Sequence, residues 1–201
     1  MLKYLIDIFY EYVKYCLAVF EASLGKRGII FLDRDGTIIK DKPYSYRIED
    51  MEFLPRAVEG LSRFREMGFK LFVISNQAGI ARGYYTIDDA NKFNEILRQR
   101  LITDGIHIEK IYICPHHPDF FEKCDCRKPN PGMVVRAARE FNFNLSDCIY
   151  VGDKDCDIEL GKNCGGTTFL INNGQYKTSV RPDYTVKNLA EVADILESKT
   201  A

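Results

Sequence analysis

Residues 28–37 read GIIFLDRDGT, a short apolar run that ends abruptly in charge. Ile29, Ile30, Phe31 and Leu32 carry no alternating polar partner, which suits a strand buried on both faces. Asp33 and Asp35 follow on either side of Arg34, and Gly36 and Thr37 come next. Two carboxylates two residues apart at a strand exit can aim into one pocket. A DG pair is also an ordinary turn former, so the rest of the chain must decide what this stretch means.

Downstream the same kind of strand recurs. FKLFVIS (69–75), IEKIYIC (108–114), CIYVGD (148–153) and TTFLI (167–171) are short apolar runs, and 183–186 is a weaker one. Segments with helical spacing lie between them. Residues 55–67 begin at Pro55 and stop at Gly68. Residues 88–101 follow Thr86, which stands three before Asp89 in capping-box spacing. Residues 132–141, 155–164 and 189–198 complete the set. Strands alternating with helices, each strand apolar on both faces, predict a parallel α/β sheet covered on two sides. We read residues 26–201 as one Rossmann-like domain of this kind.

In such sheets ligands bind at the carboxyl ends of the strands, where strand order reverses. Three polar clusters sit just after strands: Asp33-Arg34-Asp35-Gly36, Ser75-Asn76-Gln77 and Gly152-Asp153-Lys154. Together they make one rim and one candidate site. Asp33, Asp35 and Asp153 offer hard oxygen ligands of the sort that suit Mg²⁺, with Asp157 one helical turn on to support them. Without a cation such a cluster would repel itself and raise its own pKa values.

The chain has 201 residues, 46% apolar and 28% charged, which fits one globular domain with an appendage. Twenty-eight Lys and Arg against 29 Asp and Glu leave a net charge of −1. That argues against a nucleic-acid binder working on bulk charge. Residues 1–25 read as a separate amphipathic helix, because Leu2, Leu5, Ile6, Phe9, Val13, Cys16, Leu17 and Phe20 recur at steps of three and four. Asp7, Glu11, Lys14 and Glu21 interrupt the stretch, so it is expected to be neither a secretion signal nor a membrane span. Packing on this chain or on a sister copy is the expectation, with the cytoplasm as the compartment.

Seven cysteines in a cytosolic protein point to metal ligation rather than disulfides. Cys114-Pro-His116 and Cys124-Asp-Cys126 place four soft or borderline donors within thirteen residues, inside a proline-rich loop at 115–131. Four donors match a closed, structural Zn²⁺ site and leave no position for water. Such an ion would fold an otherwise structureless loop. His117 is spare. Cys16, Cys148, Cys156 and Cys164 read as small buried residues.

FLDRDGTI, Ser75, Lys128 and Gly152-Asp153 resemble, in order, the motifs of the haloacid-dehalogenase-like phosphatases. CPHHP, CDCRKPNPGM and NQAGIARGYY are similar to the D-glycero-D-manno-heptose 1,7-bisphosphate phosphatases within them. The resemblance spans roughly residues 28 to 198. It implies an Mg²⁺-dependent hydrolase that removes the C7 phosphate of the sugar bisphosphate in heptose synthesis. In that reading Asp33 is the nucleophile that forms an aspartyl-phosphate, and Asp35 is the acid and base that also lends its backbone carbonyl to Mg²⁺. Ser75 and Lys128 hold the phosphoryl oxygens. Asp41, Lys42, Pro43 and Tyr44 form a substrate loop, Asn76, Gln77 and Ala78 contact the sugar, and Lys154 stands near the phosphate. Arg127, next to the zinc loop, recognises the substrate's second phosphate. Histidinol-phosphate phosphatases share the zinc loop and much of the core and stay open as an alternative. So does a zinc-stabilised interaction module without catalysis, although it would have no use for the Asp set.

Overall fold

A computed structural model describes residues 28–120 and 123–199. The helix expected at 1–25 and the boundary after it lie outside those residues. Among the described residues six strands form one sheet: β1 Ile29–Leu32, β2 Lys70–Asn76, β3 Ile108–Cys114, β4 Ile149–Gly152, β5 Thr167–Ile171 and β6 Tyr184–Val186. All neighbouring pairs are parallel, in the order β3-β2-β1-β4-β5-β6. The chain therefore lays down three strands outward from β1 and then starts again on its other side. The crevice of that reversal lies between β1 and β4.

The described residues also form six α-helices: α1 Ala57–Glu66, α2 Ala78–Ala81, α3 Ile87–Thr103, α4 Gly132–Phe141, α5 Asp155–Asn163 and α6 Leu189–Ser198. Alternation along β1 divides the core. Ile30 and Leu32 face a cluster with Leu61 and Phe64 of α1, Phe93 and Leu97 of α3, and Val192 and Leu196 of α6. Ile29 and Phe31 face the other side, with Met133, Val134 and Ala137 of α4 and Leu160 of α5. Burial on both faces is why the strands read as unbroken apolar runs.

The helix starts obey local chemistry. The Thr86 hydroxyl accepts the Asp89 N–H at 3.2 Å, and the Asp89 carboxylate accepts the Thr86 N–H at 2.8 Å. Asp performs the role usually given to Glu in this box. The four-residue α2 was not expected, because Ala-Gly-Ile-Ala is too short to show a period. Among the described residues no helix is long and apolar enough to cross a membrane.

Candidate active site

The three polar clusters meet at the carboxyl ends of β1, β2 and β4. Asp33 continues β1 by giving its N–H to the Val151 carbonyl at 2.9 Å, which sets it beside the end of β4. Asp153 follows Gly152 there, and Asp157 sits in the first turn of α5. One oxygen from each of Asp33, Asp153 and Asp157 lies within 4.8 Å of the others. All three residues are buried.

The chemistry of this trio suits a metal ion. Both carboxylate oxygens of Asp153 are buried and accept no hydrogen bond among the described residues. Burial, then the neighbouring Asp33 charge, pushes the Asp153 carboxyl up to about 8. A buried carboxylate without donors needs a cation or a proton. Oxygen ligands of octahedral Mg²⁺ stand about 3–4 Å apart, given bonds near 2.1 Å, a separation that falls inside the 4.8 Å bounding this trio. Two glycines make the approach possible. A Cβ on Gly36 would meet an Asp153 oxygen at 2.0 Å, and one on Gly152 would meet the Asp157 Cγ at 2.2 Å.

Lys128 lies between the carboxylates. Its Nζ donates to Asp33 Oδ1 at 2.5 Å and to the Ile74 carbonyl at 3.0 Å, and stands 2.6 Å from Asp157 Oδ1. Burial alone would discharge this amine, but Asp157 and Asp33 together hold its pKa above the usual lysine value. Lys154 at the cleft mouth behaves alike: burial opposes its charge, and Asp33, Asp153 and Asp41 outweigh it.

Asp35 points elsewhere. Its Oδ2 accepts from Gln77 Nε2 at 2.9 Å and from Ser75 Oγ at 3.4 Å, and both its oxygens accept from Arg34 Nε at 3.1 and 3.2 Å. Burial raises its pKa, partly opposed by the Arg34 charge. Only the backbone of Asp35 is therefore available to the acidic trio.

These groups line a cleft of about 280 Å³. Of the residues anticipated for chemistry or substrate, Asp33, Asp35, Ser75, Lys128, Arg127 and Lys154 line its wall. So do Asp41, Lys42, Tyr44, Asn76, Gln77 and Ala78. Pro43 is exposed and stands off it, and Asp153 is sealed behind it. A larger cavity of about 340 Å³ opens between Gly28, Phe69 and Phe143, at the opposite strand ends and away from the carboxylates.

Several anticipated residues have partners that the sequence did not indicate. The Asn76 amide clamps both backbone groups of Lys128, at 3.1 and 3.0 Å, rather than projecting freely. Asp41 accepts from Lys154 Nζ at 2.8 Å and from the Tyr176 hydroxyl at 2.7 Å. Cys148 is buried as expected, but Cys156 and Cys164 are only half-buried, and Cys156 lines the cleft. Burial pushes its thiol up to about 12, so it stands there neutral. Arg34 and Tyr85, which lie within the quoted stretches, were given no role of their own, and Asn94 was missed.

The Cys/His loop closes on itself. Ligand atoms of Cys114, His116, Cys124 and Cys126 all lie within 4.8 Å of one another. Cys114 Sγ is 3.2 Å from Cys126 Sγ and 3.8 Å from Cys124 Sγ, and His116 Nδ1 is 3.2 Å from Cys126 Sγ. A tetrahedral ion with Zn–S bonds near 2.3 Å would set the sulfurs about 3.8 Å apart, so the donors fit. Burial raises the Cys126 pKa, the hydrogen bond with Cys114 partly opposes it, and the Cys124 thiol adds to it. The loop reaches the cleft through Arg127, whose Nη1 donates to the His116 carbonyl at 3.1 Å.

The chain is similar to known proteins in both sequence and fold. The family described as HAD-hydrolase-like matches residues 125–192. The D-glycero-alpha-D-manno-heptose-1,7-bisphosphate 7-phosphatase of Photorhabdus laumondii is 36% identical, over 86% of this chain and 98% of its own. The beta-anomer enzyme of Yersinia pestis is also 36% identical, over 85% of this chain and 95% of its own. The crystal structure of D,D-heptose 1,7-bisphosphate phosphatase from B. bronchiseptica, complexed with magnesium and phosphate, superposes with a TM-score of 0.76 at 27% identity. That match covers 86% of this chain and 99% of that one.

Proposed function

Since the chain belongs to the D-glycero-D-manno-heptose-1,7-bisphosphate 7-phosphatase family of haloacid-dehalogenase-like hydrolases, we propose that it removes the C7 phosphate of that sugar bisphosphate through a phosphorylated Asp33. The observation that carries this reading is the Asp33 carboxylate at the β1 exit, held by buried Lys128 at 2.5 Å and facing the unsatisfied Asp153. In the first step an Asp33 oxygen bonds to phosphorus as the bond from phosphorus to the sugar oxygen breaks. Asp35 gives its proton to that leaving oxygen. In the second step ionised Asp35 takes a proton from water, whose oxygen bonds to phosphorus as Asp33 leaves. Burial of Asp35, which raises its pKa, supports the protonated start.

Mg²⁺ held by Asp33, Asp153 and the Asp35 carbonyl would offset the repulsion between an anionic nucleophile and an anionic phosphate. Lys128 and Ser75 bind the phosphoryl oxygens as charge shifts toward the leaving group. Arg127 and Lys154, cations at the cleft mouth, take the remaining phosphate; a planar guanidinium suits it bidentately. Zn²⁺ on Cys114, His116, Cys124 and Cys126 would fix the backbone that precedes Arg127 and Lys128. Six free cysteines among the described residues suit a reducing compartment, which supports the cytoplasm. The apolar stripe in residues 1–25 supports self-association.

Phosphate release from heptose 1,7-bisphosphate and from histidinol phosphate, each with Mg²⁺, tests the reading. A higher kcat/KM on the heptose is expected. Faster turnover of histidinol phosphate would overturn the substrate, and no turnover of either would overturn the activity.

A further inference from the structure

Arg34 is the largest fully buried side chain of the described residues. Such a charge is costly unless every donor finds a partner, and here each edge of the guanidinium is engaged. Nε donates to the Asp35 carboxylate at 3.1 and 3.2 Å, and Nη2 stands 3.0 Å from Asp35 Oδ2. Nη1 donates to Asn94 Oδ1 in α3 at 2.7 Å. Nη2 also donates to the Ser45 carbonyl, in the loop after β1, at 3.0 Å. The guanidinium carbon lies 4.6 Å over the Phe93 ring. One rigid group thus joins the acid–base carboxylate, the loop that walls the cleft, and the core helix α3.

From this geometry we infer that Arg34 is a positioning residue, which fixes the aim of Asp35 at the leaving oxygen and links that aim to the seating of residues 41–46. The inference rests on the proposed role of Asp35. Arg34 does not line the cleft, and its contacts leave it no reach to substrate. Gln77 supplies the second brace: its Nε2 donates to Asp35, while its Oε1 accepts from the buried Tyr85 hydroxyl at 2.5 Å. Asp35 is therefore held from two sides by groups anchored in different elements. A side chain so braced does not search rotamers during the transfer of its proton, and its misplacement by about 1 Å costs on the order of 10²-fold.

The test separates aim from architecture through the leaving group. A sugar alkoxide needs a proton as it departs, whereas nitrophenolate does not. Asn94→Ala, which removes the far anchor of Arg34 without touching the cleft, and Arg34→Lys are assayed on heptose 1,7-bisphosphate and on p-nitrophenyl phosphate. In the single-turnover burst, which reports phosphoryl transfer to Asp33 alone and not the later attack of water, the inference predicts a rate on the sugar about 10- to 100-fold lower and a rate on the aryl ester less than about 3-fold lower. Equal losses on both substrates, or no loss on either, would overturn it. Thermal melting shows which variants are folded, and Asn94→Ala carries the test if Arg34→Lys is not. Asp35→Asn is run alongside. If Asp35→Asn shows no leaving-group selectivity, the acid role itself fails; if it does and Asn94→Ala does not, only the role of Arg34 fails.

Discussion

Replacing Gly36 by Ala places a methyl group where the Asp153 carboxylate already stands. The added Cβ would lie 2.0 Å from Asp153 Oδ2 and 2.5 Å from its Cγ, against the 3.4 Å at which ordinary contact begins. The shortfall is about 1.4 Å, the difference of those two distances. Gly36 cannot retreat easily: its N–H donates to the Ile39 carbonyl at 2.7 Å, and its own carbonyl accepts from Asn173 at 3.1 Å. Its φ of +91° adds strain for any residue with a Cβ. That strain costs about 1–3 kcal/mol, or several degrees of melting temperature for a domain of this size. The carboxylate must absorb the displacement, and a shift of 1 Å at a metal ligand lowers turnover on the order of 10²-fold. Phosphate release measured across a Mg²⁺ series is therefore expected to show a kcat about 100-fold lower and a half-saturating Mg²⁺ concentration well above that of the wild type. The protein should remain folded at the assay temperature. A lower melting temperature with unchanged Mg²⁺ dependence would refute the reasoning, because Gly36 would then serve the turn alone.

Three further outcomes follow from the same geometry. Lys128→Met leaves Asp33 and Asp157 facing each other without their shared cation, so turnover should fall on the order of 10²–10³-fold and stability by about 3–5 kcal/mol; a variant as active as the wild type in steady-state assays speaks against phosphate binding by Lys128. The proton on Asp153 is retained by the metal-free fold from a carboxyl's ordinary 3.8 up to about 8. The stability it contributes is complete below the former value and lost as pH rises through the latter. Metal-stripped wild type should thus lose more melting temperature between pH 5 and pH 9 than Asp153→Asn does, and equal losses contradict the assignment. Purified protein should hold about one zinc per chain, and Cys126→Ser should lose it along with roughly 3 kcal/mol, or about 6–12 °C; elemental analysis and melting decide, and full zinc retention in the variant argues against the cluster.

The sheet was legible because its strands are buried on both faces. β3, β5, α4 and α6 begin and end where apolar runs and helical spacing predict. The rim was legible for a related reason: a strand with no polar residue that ends in Asp can only be presenting it. Less visible was how the polar groups share partners. Arg34 sits between two functional carboxylates, and alternation along β1 turns it inward, but sequence spacing cannot say that Asn94, sixty residues away, meets it. Tyr176 comes to Asp41 across 135 positions from a segment without periodicity. Cys156 read as core because Cys usually is, although its place in the first turn of α5 sets it on the cleft wall. The resemblance implies a sugar contact for Asn76, and it does line the cleft. What spacing did not show is that its amide also satisfies the backbone of Lys128, which belongs to an irregular loop and has no ladder to pair with.

The central claim is that the carboxylate of residue 33 carries the phosphoryl group. Trypsin cuts after Arg27 and Arg34, so the peptide 28–34 contains Asp33 without Asp35. Enzyme turning over p-nitrophenyl phosphate with Mg²⁺ is quenched in acid, treated with borohydride to reduce the acyl phosphate to homoserine, digested with trypsin and read by mass spectrometry, both as wild type and as Asp35→Asn. Homoserine at position 33 in peptide 28–34, absent from Asp33→Asn, is the predicted result; turnover without that product, or homoserine in any other peptide, contradicts the account.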